Sequence, residues 1–154
     1  MAQTNGLEIR VGESGFRAEI HVGGHTLIAD EPVAFGGTDE GPTPYDYLAA
    51  ALGSCTAMTL RVYADRRGWP LEGVTVRMRH GRVHEKDCED CATLPVGIHQ
   101  LEREVKLEGP LTDEQREGLL RIADRCPVAQ SLAKGIRVVP ARPADAGDVA
   151  PPAA

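Results

Sequence analysis

The chain opens on strict alternation. Leu7, Ile9 and Val11 share one parity, and Phe16, Ala18, Ile20 and Val22 repeat it with Arg17, Glu19 and His21 in between, the period of half-buried β-strands. Gly23-Gly24 marks a tight hairpin into a further strand, HTLIAD. EPVAFGGTDEGPTP carries too much Gly and Pro for either period and reads as a loop. Then the period changes. Thr43 as N-cap, Pro44 at the first helical position and Asp46 as an acidic third residue start a helix. Leu48, Ala51, Leu52, Cys55, Met58, Thr59 and Val62 recur at three and four and predict one continuous buried stripe, stopped by Gly68 and Pro70. About 24 residues at ~1.5 Å each give roughly 36 Å, enough to cross a small domain.

Alternation returns in GVTVRMRHGRVH and HQLEREVKLEG, predicted to pair as a hairpin across an acidic, Cys-containing connection. Thr112 and Gln115 form a capping-box pattern for a second helix, with Leu119, Leu120, Ile122 and Ala123 as its apolar face. After DRCP, a short helix from Pro127 to Lys134 is expected to end at Gly135 and lead into a last strand, IRVV. This order predicts an α+β fold in which helices lie against antiparallel sheet. Residues 1–139 form one domain, and 140–154, rich in Pro and Ala without an apolar period, read as a disordered tail. The long helix also holds Ala49, Ala50, Gly53, Ser54, Thr56 and Ala57. Small residues on more than one side allow a symmetric dimer to use the second side.

Composition narrows the function. Hydrophobic residues make up 42% of the 154 and charged residues 26%, ordinary for a globular chain, but with only two Phe, three Tyr and one Trp the core must be built from small and branched side chains. A formal charge of −6 opposes nucleic-acid binding. The longest apolar run, Leu48 to Leu60, falls short of the roughly 20 residues a membrane span needs. MAQTNGLEIR has neither a basic nor an apolar leader region, so a cytoplasmic location is expected. Four cysteines in such a reducing compartment point to catalysis, redox chemistry or metal rather than a disulfide framework.

Cys55 sits on the predicted buried stripe, where it is either a small core residue or a shielded reactive thiol. Cys126 precedes Pro127 at the N-cap of the short helix, where free N–H groups, the positive end of the dipole and Arg125 favour a thiolate; the alternative is a mere N-cap surrogate. A shielded thiol and a poised one, far apart in sequence, suit a two-cysteine cycle: peroxide oxidises the first to a sulfenic acid, the second closes a disulfide, and an external dithiol reopens it.

GPTPYDYLAAALGSCTAMTLRVYADRRG together with ADRCPVAQSL resembles the OsmC/Ohr family of small redox proteins, in its OsmC-like branch, over Phe16 to Val139. The resemblance implies an intertwined homodimer with long central helices packed between antiparallel sheets. It also implies thiol-dependent reduction of organic hydroperoxides, with Cys55 peroxidatic, Cys126 resolving and a dithiol, in several members a dihydrolipoyl group, as reductant. Peroxidase members hold the thiolate with an Arg from the N-terminal strand region and a Glu shortly after the helix-opening Pro. Here that Glu position is Tyr45, followed by Asp46, which either stands in for it or completes the helix cap. Arg17 is the candidate cation, or else a solvated charge on the polar face of its strand. Without these partners the alternative is a non-catalytic module whose cleft binds an apolar or thiol-bearing small molecule.

HEKDCEDCATLPVGIH adds Cys88 and Cys91, with His84 and His99 on the flanking strands. Their ligand types fit a tetrahedral zinc site. A switchable disulfide and a chemically idle loop are the alternatives, since Glu85, Asp87, Glu89 and Asp90 raise thiol pKa values unless a cation neutralises them.

Overall fold

The computed structural model describes residues 6–83 and 98–141. Three strands, β1 (Leu7–Val11), β2 (Ala18–Val22) and β3 (His25–Ala29), form an antiparallel meander. At the β2–β3 turn Gly23 and Gly24 have φ of 52° and 82°, both left-handed, which is the geometry that matches a hairpin's twist. A single turn at Val33–Phe35 interrupts the loop that leads to the long helix α1 (Pro44–Arg67). Strands β4 (Gly73–Val83) and β5 (Ile98–Glu108) pair antiparallel, and helices α2 (Asp113–Ala123) and α3 (Pro127–Lys134) follow.

The helix boundaries follow local chemistry. Thr43 and Asp46 exchange the reciprocal bonds of a capping box, Pro44 fills the first helical position, and Gly68 closes α1 at φ 62°. Thr112 and Gln115 do the same for α2, and Cys126 caps α3. One expected element is absent. Residues 135–140 carry no regular structure, and Ile136, Val138 and Val139 are exposed; a strand needs an edge to take up its backbone groups, and IRVV meets none among the described residues.

Register decides which faces meet. Val74, Val76, Met78 and His80 of β4 pair with Leu107, Val105, Arg103 and Leu101 of β5, so these eight share one face of the sheet. That face packs on α1, and Leu60 and Ala64 of α1 join Leu71, Leu111, Leu119 and Ala123 in the core, flanked by Tyr63 and Trp69 in edge-to-face contact at 5.5 Å. The opposite face carries Thr75, Arg77, Glu104 and Lys106, with an Arg77 to Glu104 ion pair.

The buried stripe of α1 differs from the expected one. Ala49, Leu52, Gly53, Thr56, Leu60 and Ala64 are buried, whereas Leu48, Met58 and Val62 are exposed within the chain. The buried side is the one that carries Gly53, where the absence of a side chain admits the sheet closely. A Cβ on Gly53 would stand 3.1 Å from Met78 Cγ. Leu120, expected on the inner face of α2, is also exposed.

The meander leaves its apolar face open, with Leu7, Ile9 and Val11 more than half exposed at 58%, 59% and 53%. It is tethered by the loop after β3. Buried Asp30 accepts hydrogen bonds from the N–H groups of Glu31, Thr38 and Glu40 and from the Thr38 hydroxyl at 2.6 Å. The Tyr47 hydroxyl of α1 donates to the carbonyl of Ile28. The Thr38 hydroxyl foremost, with those N–H groups, holds the Asp30 carboxyl down at about 2 against the opposing effect of burial.

Because an unfolded Asp titrates near about 3.9, Asp30 stabilises the fold fully above that pH and loses its contribution as pH falls towards 2. Denaturant unfolding across that window is expected to show a steep loss of stability for the wild type and a flatter one for Asp30→Asn, which starts lower; identical slopes would remove Asp30 as the acid-sensitive tether.

Candidate active site

Two cysteines from opposite ends of the chain meet beneath the start of α3. Cys55 lies in the middle of α1, and Cys126 ends the turn after α2. The two thiols are close enough that Cys55 helps lower the pKa of Cys126. Gly53, two residues before Cys55, lets α1 settle on β4, and the Arg125 N–H to Ile122 carbonyl bond closes the turn that delivers Cys126.

Their burial reverses the expectation. Cys55, read as the shielded thiol, is partly exposed, and Cys126, read as the poised one, is fully buried. Cys55 opens on a cleft of about 470 Å³ lined by Ser54, Met58, Val62, Ile122 and Pro127, overwhelmingly apolar. Cys126 takes the N-cap as expected, its sulfur 3.3 Å from the Ala129 N–H.

Around Cys126 stand residues that sequence reasoning did not single out for chemistry. The Thr56 hydroxyl lies 3.5 Å from its sulfur. Arg103 donates to that hydroxyl at 3.1 Å, to the Ala123 carbonyl at 2.9 Å and to Asp124 at 2.7 Å. Burial alone pushes the Cys126 thiol up; hydrogen bonds from Thr56, the Ala129 N–H and Cys55, together with the Arg103 charge, outweigh it and leave the thiol below its ordinary value. The cation is therefore Arg103 rather than the neighbouring Arg125, whose side chain is exposed. A signal for it was present: in HQLEREVKLEG, Arg103 occupies the apolar phase shared by Leu101, Val105 and Leu107, so the strand's own alternation turns a charge inward.

The other candidates lie elsewhere. Asp46 is engaged in the cap, its carboxylate accepting from the Thr43 hydroxyl at 2.7 Å and the Thr43 N–H at 2.9 Å; these bonds, the hydroxyl first, hold its pKa below the ordinary carboxylate value. Arg17 is half-buried and paired with Glu19 at 2.9 Å and Glu40 at 2.8 Å, on the polar face of the meander. Tyr45 stacks on His80 and His99, with ring centroids 4.3 Å and 4.7 Å away, and His80 Nε2 lies 2.8 Å from His99 Nδ1. These rings border a second cavity of about 450 Å³, which Arg103 and α3 also line. Of the zinc candidates, His84, Cys88 and Cys91 lie outside the described residues, as do 142–154 of the expected tail. Among the described residues no group of three or more His, Cys, Asp or Glu side chains is placed to hold a metal ion, and no helix is long and apolar enough to cross a membrane.

The OsmC-like protein family matches residues 37–140, a span that includes both cysteines. Solved structures agree in fold. An OsmC-like protein from Mycoplasma pneumoniae is 14% identical with a TM-score of 0.67, covering 86% of this chain and 89% of that one. The organic hydroperoxide resistance protein OsmC of Legionella pneumophila is 22% identical, TM-score 0.60, over 84% and 89%. An organic hydroperoxide resistance protein from Elizabethkingia anophelis is 19% identical, TM-score 0.60, over 84% and 88%. No curated protein matches the chain in sequence.

Gly53→Val places branched carbons where Met78 and Val76 already stand. Overpacking of this kind costs about 1–3 kcal/mol, and it pushes α1, with Cys55 and Thr56, off the sheet. The variant is expected to melt several degrees lower and to close the Cys55 to Cys126 disulfide more slowly under a mild oxidant; unaltered closure would show that the seating of α1 does not align the sulfurs.

Proposed function

The chain belongs to the OsmC-like protein family, and from that premise we propose that it is a thiol-dependent peroxidase that reduces organic hydroperoxides. The observation that supports this most is the contact between Cys55, at the floor of an apolar cleft, and Cys126, at a helix N-terminus. A Cys55 thiolate attacks the distal peroxide oxygen, the O–O bond breaks, and the alkoxide takes a proton to leave as an alcohol, giving a Cys55 sulfenic acid. The Cys126 thiolate then attacks that sulfur; the S–O bond breaks, hydroxide leaves and is protonated to water, and a disulfide remains. An external dithiol of the dihydrolipoyl type returns both sulfurs to the thiol state. The apolar walls suit a greasy hydroperoxide and keep bulk water from the sulfenic acid.

Homodimerisation belongs to the same reading. The bare face of the meander, the exposed Leu48, Met58 and Val62 of α1 and the unpaired segment 136–139 together amount to an apolar surface larger than a monomer ordinarily shows to water. A second copy that covers them also supplies the missing wall of the Cys55 cleft. Light scattering is expected to give twice the chain mass, and a monomer at micromolar concentration would remove the intertwined arrangement.

A second reading has support as well. Tyr45 stands where peroxidase members carry Glu, Asp46 is committed to its cap, and Arg17 to its ion pairs, as expected if the cleft binds an apolar or thiol-bearing molecule without turnover. Cumene hydroperoxide separates the two. A catalytic pair loses two thiols per equivalent of peroxide, and Cys55→Ser slows consumption by about 100-fold or more; equal consumption by wild type and Cys55→Ser, with no thiols lost, leaves the binding module.

A further inference from the structure

Arg103 is in an unusual place for a charge. It sits on the apolar face of β5 with its side chain only 18% exposed. An inward charge costs desolvation, and ion pairs so placed contribute little net stability. One of its three hydrogen bonds goes to the Thr56 hydroxyl, which lies 3.5 Å from the Cys126 sulfur. Thr56, fully buried, is the middle link. Its hydroxyl has one proton, directed at the Leu52 carbonyl at 2.8 Å, while its oxygen accepts from Arg103 and faces Cys126.

We propose that Arg103 and Thr56 are positioning residues for Cys126, a two-link relay that favours the ionised form of its sulfur, so that Cys126 attacks and leaves within the pair while Cys55 is the sulfur that outside molecules reach. The proposal rests on the disulfide cycle described above. As a thiol, Cys126 donates to the Thr56 oxygen. As a thiolate, it receives the Thr56 proton instead, and the hydroxyl turns away from Leu52, whose carbonyl keeps its helical N–H partner, so the turn costs little. Arg103, donating to the same oxygen, strengthens that hydroxyl as a donor and adds a charge that solvent screens only weakly.

The groups around the thiolate are few. Cys55 and Thr56 face it from α1, Arg103 from β5 and the Ala129 N–H from α3. Asp124 at the end of α2 holds the far side of the guanidinium and is itself 77% exposed, so water screens its charge more than that of Arg103. Arg125 is exposed.

Access fixes the direction of reduction. With Cys126 walled in, one thiolate of an external dithiol attacks the Cys55 sulfur, the S–S bond breaks, and the electron pair leaves on Cys126. The dithiol's second thiolate then attacks the mixed disulfide, releasing Cys55 as a thiolate and the reductant as a cyclic disulfide. A leaving sulfur whose thiolate is stabilised speeds the first of these steps.

The test separates this from peroxide turnover. In a chain carrying Cys55→Ser, Cys88→Ser and Cys91→Ser, Cys126 is the only thiol, and ultraviolet thiolate absorbance follows its ionisation. Thr56→Val and Arg103→Gln are each expected to move the midpoint upward, with about a tenfold loss of thiolate at neutral pH, while Thr56→Ser keeps the hydroxyl and the wild-type midpoint. With Cys55 retained and the disulfide made by diamide, reduction by dihydrolipoate is expected to slow by about threefold or more in the same two variants. An unmoved midpoint in Arg103→Gln overturns the relay even if Thr56→Val does not fold, and a moved midpoint with unchanged reduction overturns its role in leaving. If diamide closes the disulfide and cumene hydroperoxide does not, the peroxidase reading falls and the relay stands; turnover with an unmoved midpoint removes the relay alone.

Discussion

The close seating of α1 on the β4–β5 hairpin is the contact on which the rest depends. Between Leu48 and Leu60 the helix carries no charge, and Gly53, its smallest residue, lies on the side that meets the sheet. Gly53 brings the helix against Met78 and Val76. That approach leaves Thr56 within reach of Arg103 from β5 and of Cys126 from the start of α3. A helix held an ångström or two farther out would keep its secondary structure and lose the hydrogen bonds that join three segments at one sulfur, because such bonds weaken steeply beyond their normal lengths.

The same seating explains the apolar surface that stays bare. A helix can turn only one side to a two-stranded sheet. Once the side that carries Gly53 is taken, Leu48, Met58 and Val62 are left exposed, as is the apolar face of the meander. Hydrophobic surface on both elements comes from strongly periodic sequence, so its exposure follows from the fold and is no accident of composition. The polar connections are economical by comparison: Asp30 alone organises most of the loop between the meander and α1.

Much of this architecture was legible in local sequence. Thr43, Pro44 and Gly68 bound α1, Thr112 and Gln115 open α2, and Cys126, Pro127 and Gly135 bracket α3, because a cap is a contact between residues three or four apart and needs no tertiary partner. Both hairpins were legible for the same reason. The expected stripe of α1 was not the buried one, since both sides of that helix are apolar and only the sheet's shape selects between them. The strand expected at 136–139 fails because strand formation is a property of two segments, and the described residues supply one. In the candidate site, Cys126 takes the cap position its sequence suggested, the relative burial of the two cysteines is reversed, and Thr56 and Arg103 were missed as partners of Cys126. Each of these acts through residues distant in sequence. Only Arg103 announced itself, by standing out of phase with the charges of its own strand.

The order of the segments along the chain has a consequence for biosynthesis. Cys55 emerges from the ribosome early; the strand that brings Arg103 comes later, and the α3 amides that cap Cys126 are among the last ordered residues to be made. Until they dock, Cys55 has no second sulfur beside it, and the groups that hold Cys126 are not yet in place. The environment of Cys126 is therefore a property of the finished fold, assembled only once the last helix has been made.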